Sequence, residues 1–395
     1  MMHGQNIICF ANDWDADPTS KHQVMKILAR TNRVLWINSI GLRRPGASAG
    51  DASRILQKVK KFMQGPVSVT PNLHVVTPLV IPFHDIKGVP TFNAWFLARY
   101  IRYHAGRLGM SDFQIWTFMP TMASVISYLK PQKVIYYCVD EWSAFSFLNA
   151  RLMEEMEADV IRQSDLVITS AETLYESKRA LHPKTYLVSH GVDSEHFGKA
   201  TAVETAVPSE VAGLPHPVIG FWGLIHEWID IELIAEVAAQ RPSWSFVLIG
   251  KSGVDCSVLK RLPNVHLLGV RPYDSLPAFA KGFTVGIMPF RMNRLTDNVN
   301  PIKLREYLAA GLPVVSTPLR EARAYQHVVR FGSTVTEFTA ALDEAVGFRR
   351  EQDSRVFLDA VADETWVAKV AYISALIDEL NSCTPSKSRG RSSTR

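Results

Sequence analysis

The chain has 395 residues, of which 47% are hydrophobic and 21% charged, and its net charge is +5. This length predicts two domains, each large enough for its own core, and the composition is ordinary for a globular enzyme. Part of the positive charge lies in a basic tail rich in Ser, Gly and Pro, residues 383–395, which we interpret as disordered. The charge balance gives no indication of a nucleic-acid partner.

No charged segment followed by a long apolar run marks the N-terminus, and no apolar stretch of about 18 residues predicts a spanning helix. We therefore expect a cytoplasmic chain. The four cysteines have no metal-ligand spacing, which predicts reduced thiols that act as small hydrophobic side chains. They are Cys9, Cys138, Cys256 and Cys383.

The first part of the chain, residues 1–198, alternates short apolar runs with helical patterns, which predicts a parallel doubly wound sheet. The predicted buried strands are 6–10, 34–38, 73–77, 114–118, 134–137, 166–170 and 185–188. Helical patterns at 22–30 and 152–163 lie between them. These residues are the predicted first domain.

Residues 199–217 have no steady period and are rich in Ala, Pro, Gly and Ser, so we predict a linker there. A second α/β domain is predicted over 218–364, followed by a packed helix at 365–382. Its predicted strands are 218–221, 245–249, 265–267, 285–288, 314–316 and 328–331. Two successive open α/β sheets predict a cleft with ligands at the carboxyl ends of the strands.

The segment 298–317, NVNPIKLREYLAAGLPVVST, predicts a helix that begins near Pro301 directly after a strand and its loop. The free N–H groups and positive dipole end of such a helix favour an anion. Lys303 adds a cation there, and Glu306 suits a pair of sugar hydroxyls. The segment thus predicts a site for a diphosphate and its ribose, whereas the alternative is an ordinary solvated helix face.

Two further positions in the second domain suit a phosphate. Gly223 follows a predicted strand, and a glycine turn lets backbone N–H groups approach a phosphate closely, although a tight turn alone also needs glycine. Arg271 follows the strand 265–267, where its guanidinium would pair with a diphosphate or remain a surface cation.

A carboxylate pair, Asp140 and Glu141, emerges from the strand 134–137 in the first domain. Inside a cleft, burial and like charge would raise the pKa of one carboxyl and produce a general base for an acceptor hydroxyl. The alternative is a helix N-cap at Asp140 with Glu141 in solvent.

Three carboxylates alternate after the first predicted strand: Asp13, Asp15 and Asp17. They do not fit a calcium loop, because Pro18 stands where the loop needs glycine and Val24 where it needs glutamate. We predict no metal and instead place Asp15 and His22 on the acceptor side of the cleft.

Basic and apolar residues interleave from Arg43 to Met63. The basic members are Arg43, Arg44, Arg54, Lys58, Lys60 and Lys61. A basic amphipathic helix of this kind can lie on an anionic membrane, or it is a solvated face over a core stripe.

The run PFR followed by NPIKLREYLAAGLPVVST resembles the nucleotide-sugar-binding segment of GT-B glycosyltransferases. More closely it resembles the exopolysaccharide and teichuronic-acid type transferases of bacteria, in the family 4-like group. Asn298 departs from the pattern, since many retaining members carry there the first of two glutamates, of which Glu306 is the second. The resemblance implies two Rossmann-like doubly wound domains that face across a cleft, with a terminal helix that crosses back to the first.

The resemblance also implies a function, that of a hexosyltransferase type of enzyme. The expected donor is a nucleoside-diphosphate sugar, with UDP as the expected nucleotide, and the expected acceptor is lipid-linked or a polysaccharide at the inner face of the cell membrane. No metal or other cofactor is expected. Two alternatives stay open: a nucleotide-sugar epimerase of the same fold, and a non-catalytic partner that binds a sugar nucleotide. The second is supported by Asn298, which stands in place of the first glutamate.

Roles for individual residues follow from the same resemblance. The residues expected to stabilise the leaving diphosphate are Gly223, Arg271, Asn300 and Lys303. Glu306 is expected to hold the ribose. Asp140 would act as the base if the reaction inverts configuration, and would orient the acceptor if configuration is retained.

Overall fold

The computed structural model describes residues 1–16, 18–40, 49–81, 86, 88–351 and 353–382. The strands in these residues are β1 (Asn6–Phe10), β2 (Arg33–Ile37), β3 (Val67–Thr70), β4 (Leu73–Val76), β5 (Gln114–Thr117), β6 (Lys133–Cys138), β7 (Leu166–Thr169), β8 (Thr185–Leu187), β9 (Val218–Trp222), β10 (Ser245–Ile249), β11 (Val265–Gly269), β12 (Val285–Met288), β13 (Val314–Ser316) and β14 (Val329–Phe331). The helices are α1 (Ser20–Leu28), α2 (Ala49–Gln64), α3 (Val89–Arg107), α4 (Ala123–Leu129), α5 (Ala150–Gln163), α6 (Glu172–Arg179), α7 (Ser194–Gly198), α8 (Ser209–Ala212), α9 (Ile231–Gln240), α10 (Ser257–Lys260), α11 (Leu276–Gly282), α12 (Arg294–Asp297), α13 (Ile302–Ala309), α14 (Val335–Glu351), α15 (Arg355–Asp359) and α16 (Trp366–Ser382).

The strands form two sheets, as the alternating sequence pattern predicts. The first has the order β3-β4-β2-β1-β5-β6-β7-β8 and the second β11-β10-β9-β12-β13-β14. Every pairing is parallel except that of β3 with β4. The strand order reverses between β1 and β5 in one sheet and between β9 and β12 in the other, and ligands bind at such switch points. The predicted fold of two Rossmann-like domains is confirmed.

The strand β3 is the one element of the first sheet that the sequence pattern missed. Its four residues are all exposed, so they carry none of the buried apolar character that marks the other strands. It pairs antiparallel at the sheet edge, directly before β4. A short, solvated edge strand has no periodic signal of its own.

The C-terminal helix packs against the first domain. The apolar residues Val370, Ile373 and Ile377 of α16 are buried in the core of the first sheet, beside residues of α1. The predicted linker is itself partly structured, because Ala200 and Val211 are buried in the core of the second domain.

Several sequence features lie outside the described residues: the tail 383–395, Asp17, Arg43 and Arg44. Among the helices that the structure describes, none has the length and apolar character needed to cross a membrane.

Candidate active site

A cavity of about 350 Å³ lies between the two domains, at the carboxyl ends of their strands. Its first-domain wall consists of Thr19, Ser20, Lys21, Val139, Asp140, Phe145 and His190. Its second-domain wall consists of Trp228, Phe290, Leu295, Thr296, Val299, Asn300, Pro301, Ile302 and Lys303. The cavity thus joins residues that are far apart in the chain.

Gly223 and Lys303 form one corner of the donor side. Gly223 has φ +135°, and a Cβ there would stand 2.0 Å from Lys303 Cε, so the lysine side chain lies directly over the glycine backbone. Gly250 is needed behind it, because a Cβ at that position would stand 1.9 Å from the Gly223 carbonyl oxygen. Two glycines therefore make room for one cation beside an exposed backbone, an arrangement suited to a phosphate.

Helix α13 begins at Ile302 with Pro301 as its N-cap, one residue later than the sequence predicts. Leu304, Tyr307 and Leu308 are buried beneath it. Because both Pro301 and Lys303 line the cavity, the free N–H groups of the first turn lie beside it.

Glu306 lies one turn further along α13. Its Oε2 accepts a hydrogen bond of 2.8 Å from the indole N–H of Trp222, at the end of β9. Burial raises the pKa of the Glu306 carboxyl, although the Trp222 hydrogen bond and the charge of Lys303 oppose the rise. Glu306 is thus fixed in orientation by the strand that carries Gly223, but it does not line the 350 Å³ cavity itself.

Asn300 lines the cavity, but its side chain is already engaged. Its Nδ2 donates to Glu321 Oε2 at 2.7 Å, and its Oδ1 accepts from Arg305 Nη1 at 2.7 Å. Glu321 also accepts the backbone N–H of Glu172, in α6 of the first domain, at 2.9 Å. Asn300 is therefore part of a polar bridge between the domains, a role the sequence does not predict.

The bridge continues through a buried guanidinium. Arg305 Nε pairs with Glu364 Oε2 at 2.5 Å, and Glu364 also accepts a hydrogen bond from Tyr325. Lys369, on α16, lies 3.9 Å from Glu364 and donates to Ser189 Oγ in the first domain at 2.9 Å. This chain of contacts therefore reaches the first domain at both of its ends, at Glu172 and at Ser189.

Asp140 and Lys21 face the cavity from the first domain. Lys21 is 8% exposed, and burial lowers the pKa of its ammonium against the opposing charge of Asp140. Burial raises the pKa of the Asp140 carboxyl, with Lys21 opposing. A half-buried carboxyl of raised pKa beside a cavity has the properties of a general base.

The neighbouring Glu141 is buried rather than solvated. Its Oε1 accepts from Ser143 Oγ at 2.6 Å, and its Oε2 lies 3.2 Å from the Lys178 ammonium, which also pairs with Glu157 at 2.8 Å. Burial alone would raise the pKa of Glu141, but Lys178 and Ser143 lower it overall. This ion cluster anchors the loop that carries Asp140.

His190 follows β8 and lines the cavity at 4% exposure. Its Nδ1 is buried without a hydrogen-bond partner in the part of the chain that the structure describes. Burial, and then the charges of Arg305, Lys21 and Lys369, lower its pKa to about 3, so the imidazole is neutral. His190 therefore contributes a neutral imidazole to this wall.

Aromatic side chains from both domains line the mouth of the cavity. The rings of Phe145 and Trp228 meet edge to face with centroids 6.4 Å apart, and Phe290 lies on the same wall. Beside them, Ser146 Oγ donates to Glu227 across the domain boundary at 2.8 Å. Sequence reasoning missed this rim because its members come from two separate loops.

Besides Gly223 and Glu306, three predicted residues are absent from the lining of the cavity: Arg271, His22 and Asp15. Arg271 contacts its neighbour Val270 and lies 3.5 Å from Glu210. It follows β11, an edge strand separated from β9 by β10, and its predicted contact with the diphosphate stays a prediction.

His22 and Asp15, predicted on the acceptor side of the cleft, contact other residues of the first domain. His22 is 2% exposed, with Nδ1 accepting from the Thr19 N–H at 3.1 Å, at the start of α1. Its ring lies against Trp14 and Trp36, and burial lowers its pKa to about 4. Asp15 is exposed and pairs with Lys61 in α2.

No cluster of three or more metal-ligating side chains occurs among the described residues. Of the alternating carboxylates, Asp13 instead accepts hydrogen bonds from the backbone and hydroxyl of Ser39, at 3.0 and 2.8 Å. Metal independence stays a prediction.

Comparison with known proteins agrees with this architecture. Residues 216–347 match the sequence profile of the family Glycosyl transferases group 1. This match lies within the second domain. The chain is also 30% identical over 253 residues to the putative teichuronic acid biosynthesis glycosyltransferase TuaH of Bacillus subtilis, a match that spans 59% of this chain and 63% of the length of that relative.

Solved structures of the same fold cover nearly the whole chain. Sucrose-phosphate synthase from Thermosynechococcus elongatus has a TM-score of 0.67 at 13% identity, over 96% of this chain and 100% of that one. The catalytic domain of starch synthase IV from Arabidopsis thaliana, bound to ADP and acarbose, has a TM-score of 0.65 at 11% identity, with the same two coverages. Trehalose-6-phosphate from E. coli bound with UDP-2-fluoro glucose has a TM-score of 0.63 at 12% identity, over 94% and 99%. The resemblance to GT-B transferases predicted from the sequence is confirmed.

Proposed function

We propose that the chain is a glycosyltransferase that moves a sugar from a nucleoside-diphosphate sugar, with UDP as the nucleotide, to a lipid-linked or polysaccharide acceptor. The observation that carries the proposal is a single cavity with Lys303, which lies against Gly223, on one wall and Asp140 on the other. The similarity to a putative teichuronic acid biosynthesis glycosyltransferase supports cell-surface polysaccharide as the product. The reaction then takes place at the inner face of the cell membrane.

In the proposed reaction, the Lys303 ammonium and the first turn of α13 stabilise the charge that develops on the leaving diphosphate. No metal is needed for this. Glu306, held by Trp222, keeps Oε1 for a ribose hydroxyl. Asp140 removes the acceptor proton if configuration inverts, and orients the acceptor hydroxyl if configuration is retained.

The test is product formation by the purified full chain with a panel of UDP-sugars and a bacterial membrane lipid extract as acceptor. We expect UDP release that depends on the extract, together with sugar incorporated into the lipid fraction. Conversion of one UDP-sugar into another without acceptor would instead identify an epimerase. Binding without release or conversion would identify a non-catalytic partner.

A further inference from the structure

The charge of this chain is concentrated in one stretch of the first domain. Residues 52–111 contain eight Lys and Arg residues but one acid, a net charge of +7, whereas the whole chain carries +5, so all other residues together carry −2. Helices α2 and α3 make up just over half of this stretch. Such a local excess attracts an anionic partner.

Helix α3 has two distinct faces. Ala94, Leu97 and Ile101 pack into the core of the first domain. The opposite face is apolar as well, since Phe92, at 48% exposure, and Trp95, at 46%, lie in solvent. A soluble helix ordinarily carries polar residues on such a face, so exposed aromatic residues there need a partner.

The exposed aromatic residues alternate with cations. The Arg99 guanidinium lies 5.6 Å from the Trp95 ring centroid, and that of Arg107 lies 5.9 Å from the Tyr103 ring. Helix α3 contains no Asp or Glu. Aromatic rings and snorkelling basic side chains together match the interface between headgroups and acyl chains.

The end of α2 extends the same surface. Phe62 stacks on Tyr100 of α3 with ring centroids 5.0 Å apart, which places the two helices side by side. Beyond this contact, Leu56 and Met63 are 70% and 78% exposed, and Lys60 is exposed between them.

We propose that α3 and the end of α2 dock the chain on a bilayer that contains anionic phospholipid. A second copy of the chain is a poorer occupant, because a symmetric contact would place one strongly positive surface against another. The surface also adjoins the cleft, since Lys58 donates to the Ser39 carbonyl at 3.0 Å and Lys61 pairs with Asp15, both just after strand ends of the first sheet. Docking here therefore brings a lipid-linked acceptor towards the first-domain wall.

The test is co-sedimentation of the full chain with vesicles of phosphatidylcholine alone, or of phosphatidylcholine and phosphatidylglycerol in equal parts. We expect binding to the anionic vesicles that weakens as salt is raised. The double variant Phe92→Ser/Trp95→Ser should lower the partition coefficient by about tenfold or more, since both rings lose apolar burial. Tyr372→Ser is the matched control, because Tyr372 is 50% exposed on α16.

A charge-reversal pair separates the electrostatic contribution. Lys60→Glu/Arg99→Glu should weaken binding to anionic vesicles by about fivefold or more for each charge. Arg355→Glu, on a side chain that is 82% exposed in the second domain, should leave it unchanged. Unchanged thermal midpoints will show that the variants fold.

Equal binding to both vesicle types, or wild-type binding by Phe92→Ser/Trp95→Ser, would overturn the proposal. So would a dimer, measured by light scattering, that the same double variant converts to a monomer, since a second copy would then cover the surface. Because no substrate is present, the result is independent of whether the chain transfers a sugar.

Discussion

The two walls of the cavity are built in different ways. On the donor side, in the second domain, the site is formed mainly by backbone groups of the Gly223 turn and of the start of α13. One side chain, that of Lys303, lies over the glycine. On the first-domain wall, ionisable side chains meet from the first turn of α1 and from the loops after β6 and β8, namely Lys21, Asp140 and His190. The donor wall therefore depends on local chain geometry, whereas the acceptor wall depends on long-range packing and on the pKa values that burial produces.

The largest expected effect is that of Asp140→Asn on the acceptor wall. If Asp140 is the base, transfer should fall by about 10²–10⁴-fold while nucleotide binding stays unchanged. In the wild type, the transfer rate should fall as the pH drops through the raised pKa of Asp140, because the base must be deprotonated. Asp159→Asn, an exposed carboxylate on α5, is the control for a general change of charge. Full transfer by Asp140→Asn would remove this residue from the mechanism.

On the donor side, the corresponding test is the substitution Gly223→Ala. The new methyl group would collide with Lys303, and φ +135° strains any L-residue by about 1–3 kcal/mol. We expect nucleotide affinity, measured by calorimetry, to fall by about tenfold to a hundredfold. Gly213→Ala is the matched control, since no atom lies within 4 Å of its added Cβ. If Gly223→Ala kept the wild-type nucleotide affinity, the Gly223 turn would not contact the phosphate.

The ion cluster behind the acceptor wall should control stability. Lys178→Met would leave the carboxylates of Glu141 and Glu157 buried without their cation, at a cost of about 3–5 kcal/mol in the free energy of unfolding. Urea denaturation measures this loss. Adding Glu157→Gln to Lys178→Met should recover part of it, because one unpaired charge is removed. A loss below about 1 kcal/mol would show that the cluster is solvated.

The smallest expected effect is that of His190 on the change in the free energy of unfolding between two pH values. Its folded pKa of about 3 lies below the unfolded value of 6.5, so the unfolded chain alone binds a proton as the pH falls between them. The wild type should therefore lose stability on acidification, and His190→Gln should lose about 2 kcal/mol less between pH 7 and pH 5. Equal losses in urea unfolding would show that the histidine is accessible to protons.

The difference between the two walls also explains which parts of the site could be predicted from the sequence. The donor side could be predicted because Pro301, Lys303 and Glu306 lie within the first two turns of one helix, and a glycine turn is a local requirement. Lys21 and Asp140 are separated by more than a hundred residues, and their meeting depends on the strand order around β1 and β5. Arg271 shows the same limit, since a strand end alone does not tell whether the strand is at the switch point or at the edge.

Asn300 and Glu141 show a second limit. Their positions after strands were found from the sequence, but their partners Glu321 and Lys178 come from distant helices and turns. Hydrophobic periodicity places such polar partners on elements without telling which pairs become buried together. The fold was thus predictable from local patterns, and the ionic pairing within it was not.

The most direct test of the donor site is the thermal midpoint of the purified chain with UDP, GDP, dTDP, CMP and ADP, compared among the wild type, Lys303→Ala, Glu306→Ala and Lys251→Ala. A ligand that binds only the folded chain raises the midpoint by mass action. We predict a shift with UDP that Lys303→Ala and Glu306→Ala abolish and that Lys251→Ala, an exposed lysine after β10, retains. No shift with any nucleotide, or a UDP shift that survives Lys303→Ala, would contradict the donor site described here.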